Sequence, residues 1–252
     1  MAMTASRTSV YVYGVTWAEG APLRRSKGIA GGAVGSLENG ELAAIVSPAP
    51  DGPVRTKRRE LLCHLDVLRD VFESKTVLPV QFGSVFPDSE AVADELLAAR
   101  HDELVSLLEQ FEGLAELRIR ASYRDGEILA EIVANDPKLL RLRELTQAAG
   151  READPLRIQL GEAVAGALMA RRRRDADAIS TELLSHAHDA VVEEPRTEYE
   201  LLRASYLVER RRIAKFDACV GEIAGRERDR MSFSYTGPLP PHSFVSLAPR
   251  RK

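Results

Sequence analysis

Glycine residues are concentrated in one short stretch in the first part of the chain, and such stretches can hold a phosphate group. The residues are Gly28, Gly31, Gly32 and Gly35. A phosphate-binding loop connects a strand to the N-terminus of a helix, whose backbone amides contact the phosphate oxygens. Here a hairpin pattern follows instead, and no Gly-Lys-Ser/Thr sequence occurs. We therefore predict a flexible or bulged strand and no phosphate-bearing cofactor.

The histidine residues do not form a metal or catalytic pattern. His186 and His188 lie in a stretch predicted to be helical, where side chains two positions apart point to different sides and cannot easily share one ion. His64 follows a cysteine and His101 precedes an aspartate. Each lacks the third partner that a catalytic or metal site requires. The sequence predicts neither an enzyme nor a metal site.

Four consecutive arginines at residues 171–174 could form a basic surface. On a helix, however, four consecutive side chains spread around the whole circumference. Asp175 and Asp177 follow directly and should neutralise part of the run. A solvated helix, a protein-binding surface and a nucleic-acid-binding surface remain open.

The charge balance bears on the last of these alternatives, an RNA-binding or regulatory module that uses Arg118, Arg120 and the arginine run. Such a module should carry excess positive charge and exposed aromatic residues for base stacking. The chain has 35 basic and 38 acidic residues, and only 6% of its residues are aromatic. We therefore expect no nucleic-acid partner.

Length and composition predict a soluble protein of two domains. The chain has 252 residues, of which 44% are hydrophobic, enough for one large core or two ordinary ones. Cys63 and Cys219 fall in apolar helical patterns and suit a reducing cytoplasm as core residues. Residues 1–9 lack a secretory signal, and no stretch nears the ~20 apolar residues of a membrane helix. We expect a cytoplasmic protein with no membrane partner.

The first predicted domain, residues 1–112, has the pattern of a small mixed sheet with covering helices. Residues 10–15 are rich in strand-forming types, and a hairpin should turn at Asn39-Gly40, a pair that readily takes positive φ angles. The next apolar residues recur at helical spacing: Leu61, Leu62, Leu65, Leu68, Val71 and Phe72. This pattern predicts a helix that covers the sheet.

Two further elements complete this domain. Residues 76–82 predict a short strand, and Pro79 places it at an edge or a bulge because proline cannot donate a ladder hydrogen bond. Asp88 or Ser89 should cap a second helix that runs to Phe111.

The second predicted domain, residues 113–236, begins with an alternating strand at 114–123. Helices are then predicted at 128–133, 137–147 and 154–192, a strand at 199–208, a helix at 209–226 and a last strand at 231–235. This order approximates a ferredoxin-like domain modified by long helices. The predicted fold class is α+β.

The C-terminal stretch, residues 237–252, is rich in proline and predicted to be irregular. Proline restricts the backbone, so a stiff segment carrying Tyr235, Leu239 and Phe244 can dock at low entropic cost. The pattern leaves open whether the segment docks onto its own domain or onto a partner.

Three motifs taken together resemble the gas vesicle protein F/L family (GvpF/GvpL), in the same order and spacing. They are residues 11–15 (YVYGV), 78–86 (LPVQFGSVF) and 237–244 (GPLPPHSF). The chain departs from the family at Gln81, Ser84, Leu239 and His242, where arginine, threonine, tryptophan and tyrosine are usual. The likeness spans nearly the whole chain.

The resemblance implies an accessory or minor structural protein of gas vesicle formation, without catalysis and without a cofactor. Its expected partners are the small, hydrophobic major shell protein and other gas vesicle accessory proteins. A subunit that lines a gas-filled wall exposes apolar surface before assembly, and a soluble partner with an apolar groove could prevent its aggregation.

We expect the two domains jointly to present the binding surface. The edge-like strand and the tail supply the candidate residues for protein binding, because a free edge can pair with an added strand. These candidates are Phe82, Gly83, Phe86, Tyr235, Pro238, Leu239, Pro240, Pro241 and Phe244.

Overall fold

The computed structural model describes residues 8–19, 27–50, 52, 54, 56–124, 127–149 and 154–247. The chain divides into two compact units, one of Met1–Glu116 with Gly237–Lys252 and one of Leu117–Thr236. The predicted boundaries at residues 112 and 236, and the folding of each part as a domain, stay predictions. Among the described residues, no helix is both long and apolar enough to span a membrane.

The first unit contains an antiparallel sheet. Its strands are β1 (Val10–Trp17), β2 (Gly35–Asn39), β3 (Leu42–Pro48), β4 (Val77–Pro79) and β5 (Val85–Phe86). The strand order is β2-β3-β1-β4, and β5 pairs with β1. The prediction of a mixed sheet is wrong for these strands, because they pair in antiparallel directions. A hairpin joins β2 to β3, and a helix between β3 and β4 lets β4 run antiparallel to β1.

The hairpin forms at the predicted place. Gly40 has a φ angle of 62°, a left-handed conformation that glycine adopts without steric strain. β2 begins only at Gly35, because residues 29–31 form a 3₁₀ turn. Strand β2 therefore covers only the end of the glycine-rich segment in which a strand was predicted.

The helices of this unit are α1 (Arg58–Phe72), α2 (Ser89–Ala91) and α3 (His101–Gln110), and a π-helical stretch, Val92–Ala98, follows α2. Asp88 caps α2 as predicted, since its Oδ1 accepts a hydrogen bond from the Ala91 amide at 2.9 Å. The prediction of one continuous helix to Phe111 is wrong, because the π-helical stretch and a break near Arg100 divide it.

Most of the long helices and most of a second sheet, which has four strands among the described residues, lie in the second unit. They are β6 (Leu114–Tyr123), α4 (Glu127–Asn135), α5 (Pro137–Ala148), α6 (Asp154–Leu184), β7 (Asp189–Val192), β8 (Glu200–Glu209), α7 (Ile213–Arg226) and β9 (Met231–Leu239). The strand order is β7-β8-β6-β9. The ferredoxin-like description stays a prediction.

Two predicted boundaries in this unit are wrong. α6 ends at Leu184 and not near residue 192, because residues 189–192 pair with β8 as strand β7. β9 continues to Leu239, so the first residues of the proline-rich tail are extended strand. The possible turn at Asp125-Gly126 lies outside the described residues.

Candidate functional site

Helix α1 exposes three leucines, which we call the leucine face: Leu61, Leu62 and Leu65. Their exposed fractions are 38%, 49% and 36%. The side packed on the sheet consists of His64, Val67, Leu68, Val71 and Phe72. The expectation that the whole apolar pattern of α1 covers the sheet is wrong for these three leucines, because the apolar residues that pack on the sheet all lie in the second half of the helix, from Val67 to Phe72.

A groove of about 310 Å³ lies beside the leucine face. We call it the α1–tail groove. Its lining residues are Leu61, His64, Leu65, Pro79, Val80, Gln81, Phe82, His242, Val245, Ser246 and Leu247. One wall is therefore α1, another is the end of β4 with the turn after it, and the third is the C-terminal tail.

The tail is held against the first unit by backbone pairing and by a buried carboxylate. Leu247 forms a parallel bridge with Val80, and the Gln81 amide donates to the Leu247 carbonyl at 3.0 Å. Glu116 is fully buried. Its carboxylate accepts hydrogen bonds from the amide and the hydroxyl of Ser243 at 2.7 and 2.8 Å. The sequence left open whether the tail docks onto its own domain or onto a partner. The structure shows the tail in contact with the first unit, to which it belongs.

A chain of polar contacts lies beneath the groove. The Tyr11 hydroxyl lies 2.9 Å from Nδ1 of His64 and accepts a hydrogen bond from the Gly83 amide at 3.1 Å. The His64 ring also bonds the backbone of Val80. Because Tyr11 and His64 are buried, these bonds fix the loop after β4 to both β1 and α1.

His64 should make the stability of this unit depend on pH. Burial, reinforced by nearby His242, lowers the pKa of His64 from 6.5 to about 4. The unfolded chain therefore binds a proton below pH 6.5 that the folded chain excludes until pH falls to about 4, so stability falls across this window. We expect a loss of about 2 kcal/mol from this group between pH 7 and pH 5.

Urea unfolding at the two pH values measures this loss. His64→Gln should remove the corresponding part of the pH dependence, whereas His101→Gln, at an exposed histidine, should keep it. Equal pH dependence in the wild type and the His64→Gln variant would contradict a neutral, buried His64.

The three candidates that follow β4 have different surroundings. The half-buried Phe82 lines the groove, and its ring centroid lies 5.6 Å from that of His64. Gly83 is exposed at a φ of 90° and donates to Tyr11. Phe86 is buried in β5, where it pairs with Val10. Phe82 and Gly83 therefore lie at the groove, and Phe86 occupies a core position.

The tail candidates are also divided. Pro240 and Pro241 are buried, Leu239 and Phe244 are half-buried, and Pro238 is exposed. These positions anchor or flank the tail segment that lines the groove.

Tyr235 belongs to the second unit. Its hydroxyl donates to Asp217 on α7, and its ring stacks on Phe216 with centroids 6.4 Å apart. The binding role predicted for it stays a prediction.

A basic surface adjoins the leucine face on its other side. It surrounds a pocket of about 760 Å³, lined by Lys27, Arg58, Arg59, Leu62, Cys63, Asp66, Arg69 and Asp70. The Cys63 thiol donates to the Lys27 carbonyl at 3.0 Å. Cys63 is only half-buried, so its predicted place in the core is wrong, whereas Cys219 is buried as expected.

The arginine run of α6 is partly neutralised within its own unit, as predicted. Arg171 forms ion pairs with Glu131 and Asp175 at 3.0 and 3.1 Å. Arg172 donates to the carbonyl of Glu200 at 2.7 Å. No group of three or more His, Cys, Asp or Glu residues in the described part of the chain could hold a metal ion.

Sequence comparison gives a match over almost the whole chain. The model of the family described as "Gas vesicle synthesis protein GvpL/GvpF" matches residues 9–246. Gas vesicle protein F of Streptomyces sp. (strain CB03234) is 34% identical over 240 residues, covering 94% of this chain and 99% of the relative. The resemblance first found in three motifs is thereby confirmed.

Two crystal structures have the same fold. That of gas vesicle protein GvpF from Anabaena sp. PCC7120 has a TM-score of 0.83 at 22% identity, and that of GvpF from Microcystis aeruginosa has 0.78 at 23%. Each comparison covers 94% of this chain and 98% of the other. Together they establish a mixed α/β fold with two antiparallel sheets.

Proposed function

The chain belongs to the family of gas vesicle synthesis proteins GvpL and GvpF, and from this premise we propose that it binds the hydrophobic major shell protein or its assembly complex. Membership of this family supports a role in gas vesicle formation. We assign binding to the leucine face and the α1–tail groove. The protein would shelter apolar surface of the shell subunit until that surface is buried in the vesicle wall.

The observation that carries this proposal is the leucine face beside a groove. Three leucines within five residues of one helix remain 36–49% exposed, although the same helix has a well-buried side. Covering their exposed parts would contribute about 3 kcal/mol, which is enough to change an affinity more than a hundredfold. An apolar segment of a partner would supply the missing cover.

The positive charge at the start of α1 indicates a second property of the proposed partner, which is negative charge. Lys57, Arg58 and Arg59 occupy the N-terminal end of the helix, where the helix dipole disfavours positive charge. Within the described residues, no ion pair or side-chain hydrogen bond involves Arg58 or Arg59. Carboxylates flanking an apolar segment of the partner would offset this charge and fix its orientation.

Co-purification with the major shell protein tests the proposal. Replacing Leu61 and Leu65 with aspartate should reduce the captured shell protein at least about tenfold, because two exposed apolar anchors become charged. The matched control is aspartate at Leu140 and Leu145, which are 36% and 51% exposed on α5. The control should capture as much as the wild type.

Two outcomes would refute this assignment. One is wild-type capture by the Leu61/Leu65 variant, and the other is an equal loss in both double variants. Circular dichroism of each variant shows that its fold is intact.

A further inference from the structure

Strand β9 forms an edge of the second sheet and carries no charged residue. The strand order β7-β8-β6-β9 gives it a neighbour on one side only. Its nine residues include no Asp, Glu, Lys or Arg. In the part of the chain that the structure describes, no backbone-to-backbone hydrogen bond joins residues 232–239 to a group outside their own sheet. The free side of β9 therefore presents amides and carbonyls with which another strand can pair.

Edge strands β2, β4 and β7 differ from β9. β7 has only four residues, begins at Asp189 and is followed by Glu193 and Glu194. β2 contains Glu38. β4 has three residues, and Leu247 of the tail forms a bridge just beyond its end. Short length, charge and a covering segment are the usual protection of a sheet edge against pairing. β9 is long, uncharged and uncovered, which indicates that its edge is available for pairing.

The side chains of β9 alternate between the two faces of the sheet. Phe233 packs against the core of the second unit, and Tyr235 stacks on Phe216 of α7. On the other face, residues 232, 234 and 236 are exposed. Pro238 has no amide hydrogen and cannot donate to a new strand. The stretch that can pair freely is therefore residues 232–236.

We propose that β9 pairs antiparallel with β9 of a second copy of this chain, with Ser234 opposite Ser234 on a two-fold axis. In this register Phe233 lies opposite Tyr235 of the second copy, and Ser232 lies opposite Thr236. Residues directly opposite each other share one face, so the aromatic pairs lie on the face that carries the helices and the hydroxyl pairs lie on the other. Both kinds of pair are favourable contacts across strands.

The sequence of the stretch favours a second copy over an unrelated segment. A two-fold interface requires that one surface fit itself. The order of residue types in 232–236 is the same in both directions: hydroxyl, aromatic, hydroxyl, aromatic, hydroxyl. Because the stretch is uncharged, the pairing brings no like charges together.

The existing side-chain bonds are compatible with this pairing. Tyr235 keeps its hydrogen bond to Asp217 on α7. The Ser232 hydroxyl donates to the Ser122 carbonyl at 3.3 Å, so it can accept a hydrogen bond from Thr236 of the second copy. The pairing therefore adds contacts without breaking those within the chain.

The length of the paired stretch limits the strength of the contact. Five residues from each copy make an interface below about 1,200 Å², which is typical of weak complexes. We expect a reversible dimer with a dissociation constant of about 10–100 µM. The inference does not depend on the proposed function, which uses residues of the first unit only.

Disulfide cross-linking of the full chain tests the register. Opposite residues of an antiparallel pair have Cα atoms about 4.5 or about 5.5 Å apart, within the range of a disulfide. Ser234→Cys should therefore give a cross-linked dimer on mild oxidation. Ser232→Cys is the matched control, because it is equally exposed but lies about 13 Å from its counterpart in the second copy. The wild type, with Cys63 half-buried and Cys219 buried, gives the background.

Sedimentation from about 1 to about 500 µM measures the pairing itself. The wild type should shift from monomer to dimer, and Ser234→Lys and Ser234→Glu should each weaken the dimer at least about tenfold, because like charges then lie opposite each other. An equimolar mixture of the two variants should restore it. Val192→Lys, at a 61% exposed position on the opposite edge β7, should leave it unchanged.

Three results would overturn the inference. A wild type that stays monomeric at 500 µM would exclude a second copy as the occupant, even if a segment of another protein pairs with β9. Equal cross-linking of the Ser234→Cys and Ser232→Cys variants would exclude the register. A mixture of the Lys and Glu variants that stays monomeric would exclude the two-fold axis at Ser234.

Discussion

Replacing both Val245 and Leu247 with aspartate should lower the free energy of unfolding by about 4 kcal/mol, because two apolar side chains lose their burial. Val245 is 9% exposed and Leu247 is 2% exposed. Ser246 lies between them and is exposed. Ser246→Asp is therefore a matched control, and its effect should stay below about 0.5 kcal/mol.

The loss should involve the whole tail segment. A carboxylate cannot stay in an apolar site without a partner, so the tail should leave the surface and not bury the new charges. The bond from the Gln81 amide to Leu247 would then break, and so would both bonds from Ser243 to Glu116. The measured loss therefore approximates the free energy of docking the tail.

Urea unfolding gives the size of the effect, and amide hydrogen exchange locates it. The Gln81 amide should exchange much faster in the double variant and at the wild-type rate in Ser246→Asp. If the double variant unfolded at the same urea concentration as Ser246→Asp, the tail would not be docked in solution. The tail would then be available for the partner contact left open by the sequence.

Local sequence patterns predicted the elements whose residues have similar surroundings from one end of the element to the other. The alternation in residues 114–123 gave β6, and the Asn39-Gly40 pair gave the hairpin. The cap at Asp88 was also predictable, because capping depends on contacts within one turn of helix. For the hairpin and the cap, the deciding contacts lie within a few residues of each other.

The errors have a common physical origin in contacts between distant residues. Residues 189–192 are too short a stretch for periodicity to distinguish a strand from the end of a helix, and only pairing with β8 decides between them. The leucine face of α1 is a second example of this limit. Its residues continue the apolar pattern of the helix, and only the packed structure shows which part of α1 meets the sheet.

The candidate site was predicted in part for the same reason. Phe82 was a candidate because it follows the edge-like strand that Pro79 indicates, and the tail was one because its prolines restrict the backbone. His64 and Glu116 could not be assigned, since their roles come from Tyr11 and Ser243, which are 53 and 127 residues away. The sequence carried no signal for the exposure of Leu61 and Leu65, because they occupy the same side of the helical pattern as Leu68 and Phe72, which are buried.

Gly14→Val should destabilise the first unit by about 4 kcal/mol, at the upper end of what overpacking costs. A Cβ at Gly14 would lie 2.8 Å from the Leu78 carbonyl oxygen and 2.8 Å from Cδ2 of Leu68. The Leu68 side chain could move, but the carbonyl belongs to β4, which pairs with β1 at this residue. The added side chain must therefore separate the strands or lift α1.

Gly35→Val is the matched control, because Gly35 lies in the edge strand β2 and an added Cβ there meets nothing within 4 Å. Valine favours extended backbone, so this variant should be as stable as the wild type or more stable. Thermal unfolding compares the two variants. Equal melting temperatures would contradict the close packing of α1, β1 and β4 at Gly14.

The position of Gly14 also connects the fold to the site. The contact with Leu68 sets how closely α1 lies on β1, and the first half of the same helix carries the leucine face. Gly14→Ala, which adds only the Cβ, should leave enough folded protein to measure shell-protein capture. We expect capture to fall in this variant while Gly35→Ala retains it, because a displaced α1 changes the width of the α1–tail groove. Unchanged capture by a destabilised but folded Gly14→Ala variant would show that binding does not depend on the position of α1.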